Sequence, residues 1–198
     1  MTKKASPVDE APVVLTVWKK SLLLSCNGFT VFDRQGNLVF RVDNYSARSK
    51  DEILLMDAAG TPLLTIRRKK LSLGDKWLVF EGESGVKVKP RYSARKQVNL
   101  LNSKSLAQVT SCACSSSTTT TTSVNTENKY DIEGSYSQRC CAVYDDKRRR
   151  MAEIKRKEAA VGGVAFGTDV FRLVVYPEMD TALAMAFVIL LDQMFGSS

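Results

Sequence analysis

The chain has no histidine. Without an imidazole, Ser-His-Asp and Cys-His nucleophilic catalysis are closed to it, as are His general acid–base chemistry and His-containing metal sites. Cysteine is scarce: five residues, at positions 26, 112, 114, 140 and 141. An odd count with one adjacent pair and one Cys-x-Cys does not make a disulfide framework. Those spacings also match poorly the two-to-four-residue spacer of a four-cysteine metal site, so no metal and no cofactor is expected. Long apolar runs are nearly missing. The one example, Ala182–Leu191, is bracketed by Asp180 and Asp192, well short of the about 20 apolar residues a membrane-spanning helix needs. Residues 1–10 contain no apolar core of signal-peptide length. Reduced thiols in a cytoplasmic or nuclear compartment are therefore expected.

What is present is ordinary globular material: 198 residues, 44% apolar and 25% charged, enough for one well-buried domain. Lys and Arg number 29 against 21 acids, a net charge of +8. That balance favours acidic partners, whether lipid headgroups, nucleic acid or acidic protein surfaces.

Residues 1–12, with Pro7 and Pro12 among charged and small residues, read as a flexible lead. From Val13 short apolar runs take over. Phe40 and Val42 alternate with Val39 and Arg41, Leu64 and Ile66 with Thr65 and Arg67, and Phe171, Leu173 and Val175 with Arg172 and Val174. A period of two is the strand signal, because successive side chains of a strand point to opposite faces. Turns are expected at Asp33–Gly36, Asp57–Gly60, Gly74-Asp75 and Gly82–Gly85. The first two share the pattern apolar-Asp-x-x-Gly-x-x-apolar, and Tyr144-Asp145-Asp146-Lys147 is a third copy without the glycine. Repeated hairpins predict a meandering antiparallel sheet that closes or stacks to hide its edges. The unbroken Ser/Thr run 115–123, within 111–128, has nothing apolar to bury and predicts a mobile loop.

Ala182–Leu191 follows an N-cap at Asp180 or Thr181 and contains no polar side chain. Ten residues make nearly three turns, so every face of this helix is apolar and must be surrounded. Thr181–Met194 gives a cylinder of roughly 21 Å, too short for a bilayer but close to the length of a six-residue strand. The prediction is a central helix, 180–195, wrapped by a curved β-sheet. Asp192 opposes the helix macrodipole in the last turn, which calls for a cation from a strand end or exposure at the barrel mouth.

Three stretches carry a family resemblance: Ser21–Asp33, Leu55–Trp77 with its core Leu55-Met56-Asp57-Ala58-Ala59-Gly60, and Val170–Phe187 with Tyr176-Pro177-Glu178-Met179-Asp180. Together they resemble the plant LURP-one-related family over about residues 13–195. The resemblance implies a single all-β domain, a twelve-stranded antiparallel barrel wound around a C-terminal helix. That fold is shared with the tubby C-terminal domain and, by similarity, with phospholipid scramblases. It also implies a non-enzymatic role in plant defence signalling, with tethering to membrane or phosphoinositide by analogy with tubby domains. No catalytic set comes with it, and the turn acids here do not form the oxygen cluster that calcium requires.

Two basic clusters are the candidate anionic-headgroup site: Arg67, Arg68, Lys69 and Lys70 after one strand, and Lys147, Arg148, Arg149 and Arg150 in a turn. Arg91, Arg95 and Lys96 form a looser third group. Placed at strand ends on one rim, such cations would each gain roughly 1 kcal/mol beside an anionic membrane. This makes a peripheral plasma-membrane location the expectation for a cytoplasmic protein. Lys147–Arg150 also resembles a nuclear localisation string. Nucleic acid is not an expected partner, since neither interleaved aromatics nor a recognition helix accompanies the charges. The competing expectation is a protein-interaction adaptor with no lipid ligand. An enzyme would need a barrel interior that holds substrate rather than a helix.

Overall fold

The computed structural model of the chain describes residues 11–20, 22, 27–44, 52–69, 76–83, 88–97, 104–112, 128–157 and 167–196. Lys70, Cys26, Cys114, the Gly74-Asp75 turn, Gly85, the Ser/Thr run and residues 1–10 of the lead lie outside the described residues. Twelve strands follow in chain order: β1 (Val13–Trp18), β2 (Asn27–Phe32), β3 (Leu38–Asn44), β4 (Glu52–Asp57), β5 (Pro62–Arg68) and β6 (Lys76–Glu81), then β7 (Tyr92–Lys96), β8 (Ser105–Ser111), β9 (Lys129–Ser135), β10 (Cys140–Tyr144), β11 (Arg150–Arg156) and β12 (Val170–Val175). Helix α1 (Thr181–Phe195) comes last.

Each strand pairs antiparallel with the next, and β1 also pairs with β12, from Val13 opposite Val175 to Trp18 opposite Val170. The ring is therefore closed and offers no free edge for a further strand. Strict alternation of direction gives the barrel two distinct ends. At one, here the hairpin end, lie the β2–β3, β4–β5 and β10–β11 turns and the entry of α1; at the other, the mouth, α1 finishes beside the last residues of β1, β7 and β9.

The period-two pattern puts Leu15 and Val17, Phe40 and Val42, Leu64 and Ile66, and Phe171, Leu173 and Val175 on the inner wall, all buried. Thr65 departs from the expected polar-out alternation. It is fully buried, and its hydroxyl donates to the Gly82 carbonyl at 2.6 Å, so the chain after β6 folds over it. The Asp180 carboxylate caps the helix by accepting from the Leu183 N–H at 2.8 Å. Every residue from Leu183 to Leu191 is buried, as is Met194. Burial at about 1.5–3 kcal/mol per large apolar side chain, before entropy, makes this helix the largest local contribution to the core.

The three related turns share one construction. The backbone N–H groups of Asp33, Asp57 and Asp145 donate across the turn to the carbonyls of Asn37, Thr61 and Arg149 respectively, and each Asp carbonyl accepts from the N–H three positions on. Their carboxylates accept backbone N–H groups of the same turn. Left-handed backbone is required at the fourth position, which glycine supplies at Gly36 (φ 88°) and Gly60 (φ 91°). In the third copy Arg148 adopts φ 61° instead, a conformation that costs a side-chain-bearing residue roughly 1–2 kcal/mol.

Two expectations follow. Ile189→Asp places an unpaired charge against the inner wall, a cost of several kcal/mol, and abolishes cooperative thermal unfolding; an unchanged melting curve would contradict enclosure of the helix. The turn carboxylates also predict acid sensitivity. The Asn37 amide holds Asp33 below its ordinary 3.8, and the Thr61 N–H does the same for Asp57. At Asp145 burial pushes upward, but hydrogen bonds from Arg149 and its charge outweigh it. Groups depressed in the folded state stabilise it fully above about pH 4 and lose that contribution as pH falls through their lowered values. Melting temperature measured from pH 7 downward should drop below that point, and less steeply in the triple Asp33→Asn, Asp57→Asn, Asp145→Asn variant.

Candidate functional site

Strand direction decides where the two basic clusters lie. Strand β5 runs toward the mouth, so Arg67, Arg68 and Lys69 stand there. Strand β10 runs the other way, so Lys147, Arg148, Arg149 and Arg150 stand at the hairpin end. The expectation of one shared rim is thereby corrected: the clusters occupy opposite ends of the barrel. The looser third group splits likewise, Arg91 at the hairpin end and Arg95 with Lys96 at the mouth.

Most of these cations are also committed to acids. Arg148 makes a two-pronged contact with Glu133 at 2.7 and 3.3 Å, and Arg149 Nε meets the Asp145 carboxylate at 2.7 Å. Arg150 pairs with Glu153, which Lys155 also reaches. At the mouth Arg67 pairs with Glu52 at 2.8 Å and lies over the Phe80 ring. Arg68, Lys69 and Lys147 are exposed. The cysteines separate too: Cys112 follows β8 at the hairpin end, whereas Cys140 and Cys141 open β10 at the mouth. Cys141 is buried, and burial together with the neighbouring Cys140 pushes its thiol up to about 12.

The densest polar arrangement is at the mouth, around the end of α1. Asp192, in the last turn, sits 2.9 Å from Lys19 Nζ, just beyond β1, and accepts from the Tyr136 hydroxyl at 3.1 Å. Burial first, then the Asp192 charge, push that phenol well above its ordinary 10. Lys96 reaches in from β7, donates to the Met194 carbonyl at 2.8 Å and lies 4.4 Å from the Phe195 ring centre. The helix carries no basic residue in its own last turn; strand ends supply the cations that its negative end favours. Arg139, buried and at φ 52°, is sandwiched between the rings of Tyr136 and Phe171 and donates to the Thr168 carbonyl at 2.7 Å. Of this group the sequence marked Asp192, through its clash with the macrodipole, and Lys96, as part of the looser third basic group. Lys19, Tyr136 and Arg139 carry no local signal, since their meeting depends on barrel closure.

Two small cavities flank this network. One, about 240 Å³, has an apolar floor of Phe29, Val42, Ile53 and Ile189 and a rim of Lys19, Lys20, Asp169, Asp192 and Gln193. The other, about 220 Å³, lies among Tyr136, Ser137, Arg139, Thr168 and Phe195. Both fall below the roughly 300–1,000 Å³ of ordinary small-molecule sites. The mouth is built first of all to hold the helix end. Lys19→Met leaves Asp192 with the phenol alone and should cost about 1–3 kcal/mol, and Tyr136→Phe about 1 kcal/mol. Urea unfolding of both singles and the double should reveal non-additive losses; strict additivity would mean that the three groups do not act as one unit.

The comparisons with known proteins agree with this architecture. A family model described as LURP-one-related matches residues 13–192. Protein LURP-one-related 8 of Arabidopsis thaliana is 54% identical over 193 residues, covering 96% of this chain and 91% of that protein. Protein LURP-one-related 17 of the same plant is 45% identical, covering 97% and 87%. A crystal structure of another Arabidopsis thaliana protein superposes with a TM-score of 0.64 over 92% of this chain and 91% of that one, at 22% identity, a likeness of fold. With a family match spanning nearly the whole barrel and relatives this similar, the chain belongs to the LURP-one-related family.

Proposed function

We propose that the chain is a non-enzymatic interaction module of plant defence signalling, an adaptor whose barrel is a rigid scaffold and whose protein partners dock on its outside. The observation that carries this is the filled lumen: the buried apolar stretch Leu183–Leu191 occupies the space in which a β-barrel otherwise holds a ligand. Recognition then falls to the exterior. The defence role comes from the family, and a reducing cytoplasm suits the unpaired thiols at Cys112, Cys140 and Cys141.

Tethering through a basic rim is the weaker alternative, on electrostatic grounds. A single headgroup cannot meet cations at both ends of a barrel, and Arg148, Arg149 and Arg150 each already face a carboxylate. Exposed ion pairs are worth little to stability, but the partner acids cancel the local field that an anionic lipid would feel. Affinity capture from plant extract, with proteins identified by mass spectrometry, should recover the same partners with wild type and with Lys69→Glu/Lys147→Glu. Flotation should give equal recovery on phosphatidylcholine vesicles with and without phosphatidylinositol bisphosphate. Recovery that depends on the phosphoinositide and is lost in the double variant would replace the adaptor with a lipid-tethered module.

A further inference from the structure

The outside of the barrel is not uniform. On β9 the outward positions are Lys129, Asp131, Glu133 and Ser135, a polar wall of mixed charge. On β1 and β12 the outward positions are Val14, Thr16 and Trp18, and Val170, Arg172 and Val174. Register sets these in rows: Val14 beside Val174, Trp18 beside Val170, and Thr16 between Phe32 and Arg172. Trp18 is 43% exposed and meets Phe32 edge-on, ring centres 5.9 Å apart. An antiparallel wall that faces only water ordinarily presents polar side chains at these positions.

The charges on this wall are mainly basic. On the outward face of β1, β2, β11 and β12 one acid, Glu153, stands against Arg150, Lys155 and Arg172. Arg150 and Lys155 both close on Glu153. Arg172 lies directly opposite Lys155, whose ammonium is held by Glu153; three cations stand against that one carboxylate, which leaves the outer face a positive surplus. Among the described residues no carboxylate reaches Arg172, which stands exposed between Val170 and Val174.

We infer that the β1–β12–β11 wall is a docking surface for an acidic segment of a partner protein, with apolar side chains spaced between its carboxylates. This rests on the adaptor reading and names the face that reading needs. A half-exposed Trp diagonal to an exposed Arg that no described carboxylate reaches is the composition of interface hot spots. Carboxylates from a partner would pair with Arg172 and meet the positive surplus around it while apolar groups cover Trp18 and the valines, so the charge complementarity identifies the occupant. The partner cannot add a strand, because every strand of the ring already has two neighbours. A membrane fits less well: these cations lie on the flank of the barrel, and Trp18 lies against the wall instead of projecting from an end loop. Three strands about 4.8 Å apart and about 20 Å long offer only a few hundred Å², half or less of the ~800 Å² that each partner contributes to a standard complex. The contact is accordingly transient, in the micromolar range.

The probe is a dye-labelled peptide of alternating Glu and Leu, with an alternating Lys and Leu peptide as control. The protein has two tryptophans, and the other, Trp77, is buried, so changes in tryptophan emission report on the wall. The Glu/Leu peptide should bind and shift that emission, weaken with salt, and lose about tenfold in affinity on Arg172→Glu or Trp18→Ala. It should bind Lys147→Glu as it binds wild type, with melting temperatures confirming that Arg172→Glu remains folded. Equal affinity for wild type and Arg172→Glu would overturn the proposal. So would an emission shift with phosphatidylserine-containing vesicles and none with the peptide, which would make the wall a lipid surface. If partners captured by wild type are also captured by Trp18→Ala/Arg172→Glu, the wall fails while the adaptor stands. If wild type captures no partner, the adaptor fails, whatever the peptide does.

Discussion

A helix with no polar face has no stable place in water, and nearly every other feature of this protein answers that constraint. Enclosing Leu183–Leu191 takes a wall on all sides. A twisted antiparallel meander provides one only if its first and last strands meet, as β1 and β12 do. Closure in turn forces an alternation in every strand, with one set of side chains given to the helix and the other to the exterior. Away from the ends the inner set described is apolar, so selection for anything other than stability is confined to the outer set and to the two ends.

Inserting a helix along a barrel axis creates a second difficulty where it stops. The last carbonyls carry partial negative charge, and here Asp192 adds a full one. Within the helix nothing compensates for either, since its last turn has no basic residue. Compensation comes from residues far away in sequence: Lys19 beyond β1, Lys96 at the end of β7 and the Tyr136 hydroxyl after β9. Each can reach the helix end only when the ring is closed and in register. The mouth therefore reports on correct assembly, and it couples the C-terminal end of the helix to the strand that seals the barrel.

Much of this was legible in the sequence, for identifiable reasons. Alternation at Phe40 and Val42 or at Phe171 and Leu173 is a local property, and so is the helix with its bracketing aspartates. The Asp-x-x-Gly turns were readable from their hydrogen-bonding chemistry, and the third copy survives without its glycine because Arg148 takes the left-handed backbone and Arg149 closes on Asp145. The pairing of the candidate headgroup cations was not legible, because a run such as Lys147–Arg150 displays its cations and hides their acids. Glu133 and Glu153 become partners only through strand pairing. Barrel parity was hidden for a similar reason. One cluster ends an odd-numbered strand and the other an even-numbered one, which separates them completely, but counting strands between them requires knowing that each one exists.

The same parity bears on where recognition falls. The ends of the barrel are occupied: three hairpin turns and a helix entry at one, a helix terminus with its ion pairs at the other. Mixed charge on β9 neutralises itself, Lys129 with Asp131 and Glu133 with Arg148. On one flank a tryptophan and valines share an outer face with Arg172, a cation that no described carboxylate reaches. Folding gains only part of what these side chains could give: the Trp18–Phe32 edge contact is favourable, but Trp18 stays 43% exposed. The inner wall shows that this chain places Val, Phe and Leu accurately when stability is the requirement. A departure from that economy on one flank, with an exposed cation at its centre, is accounted for by a second molecule completing the surface.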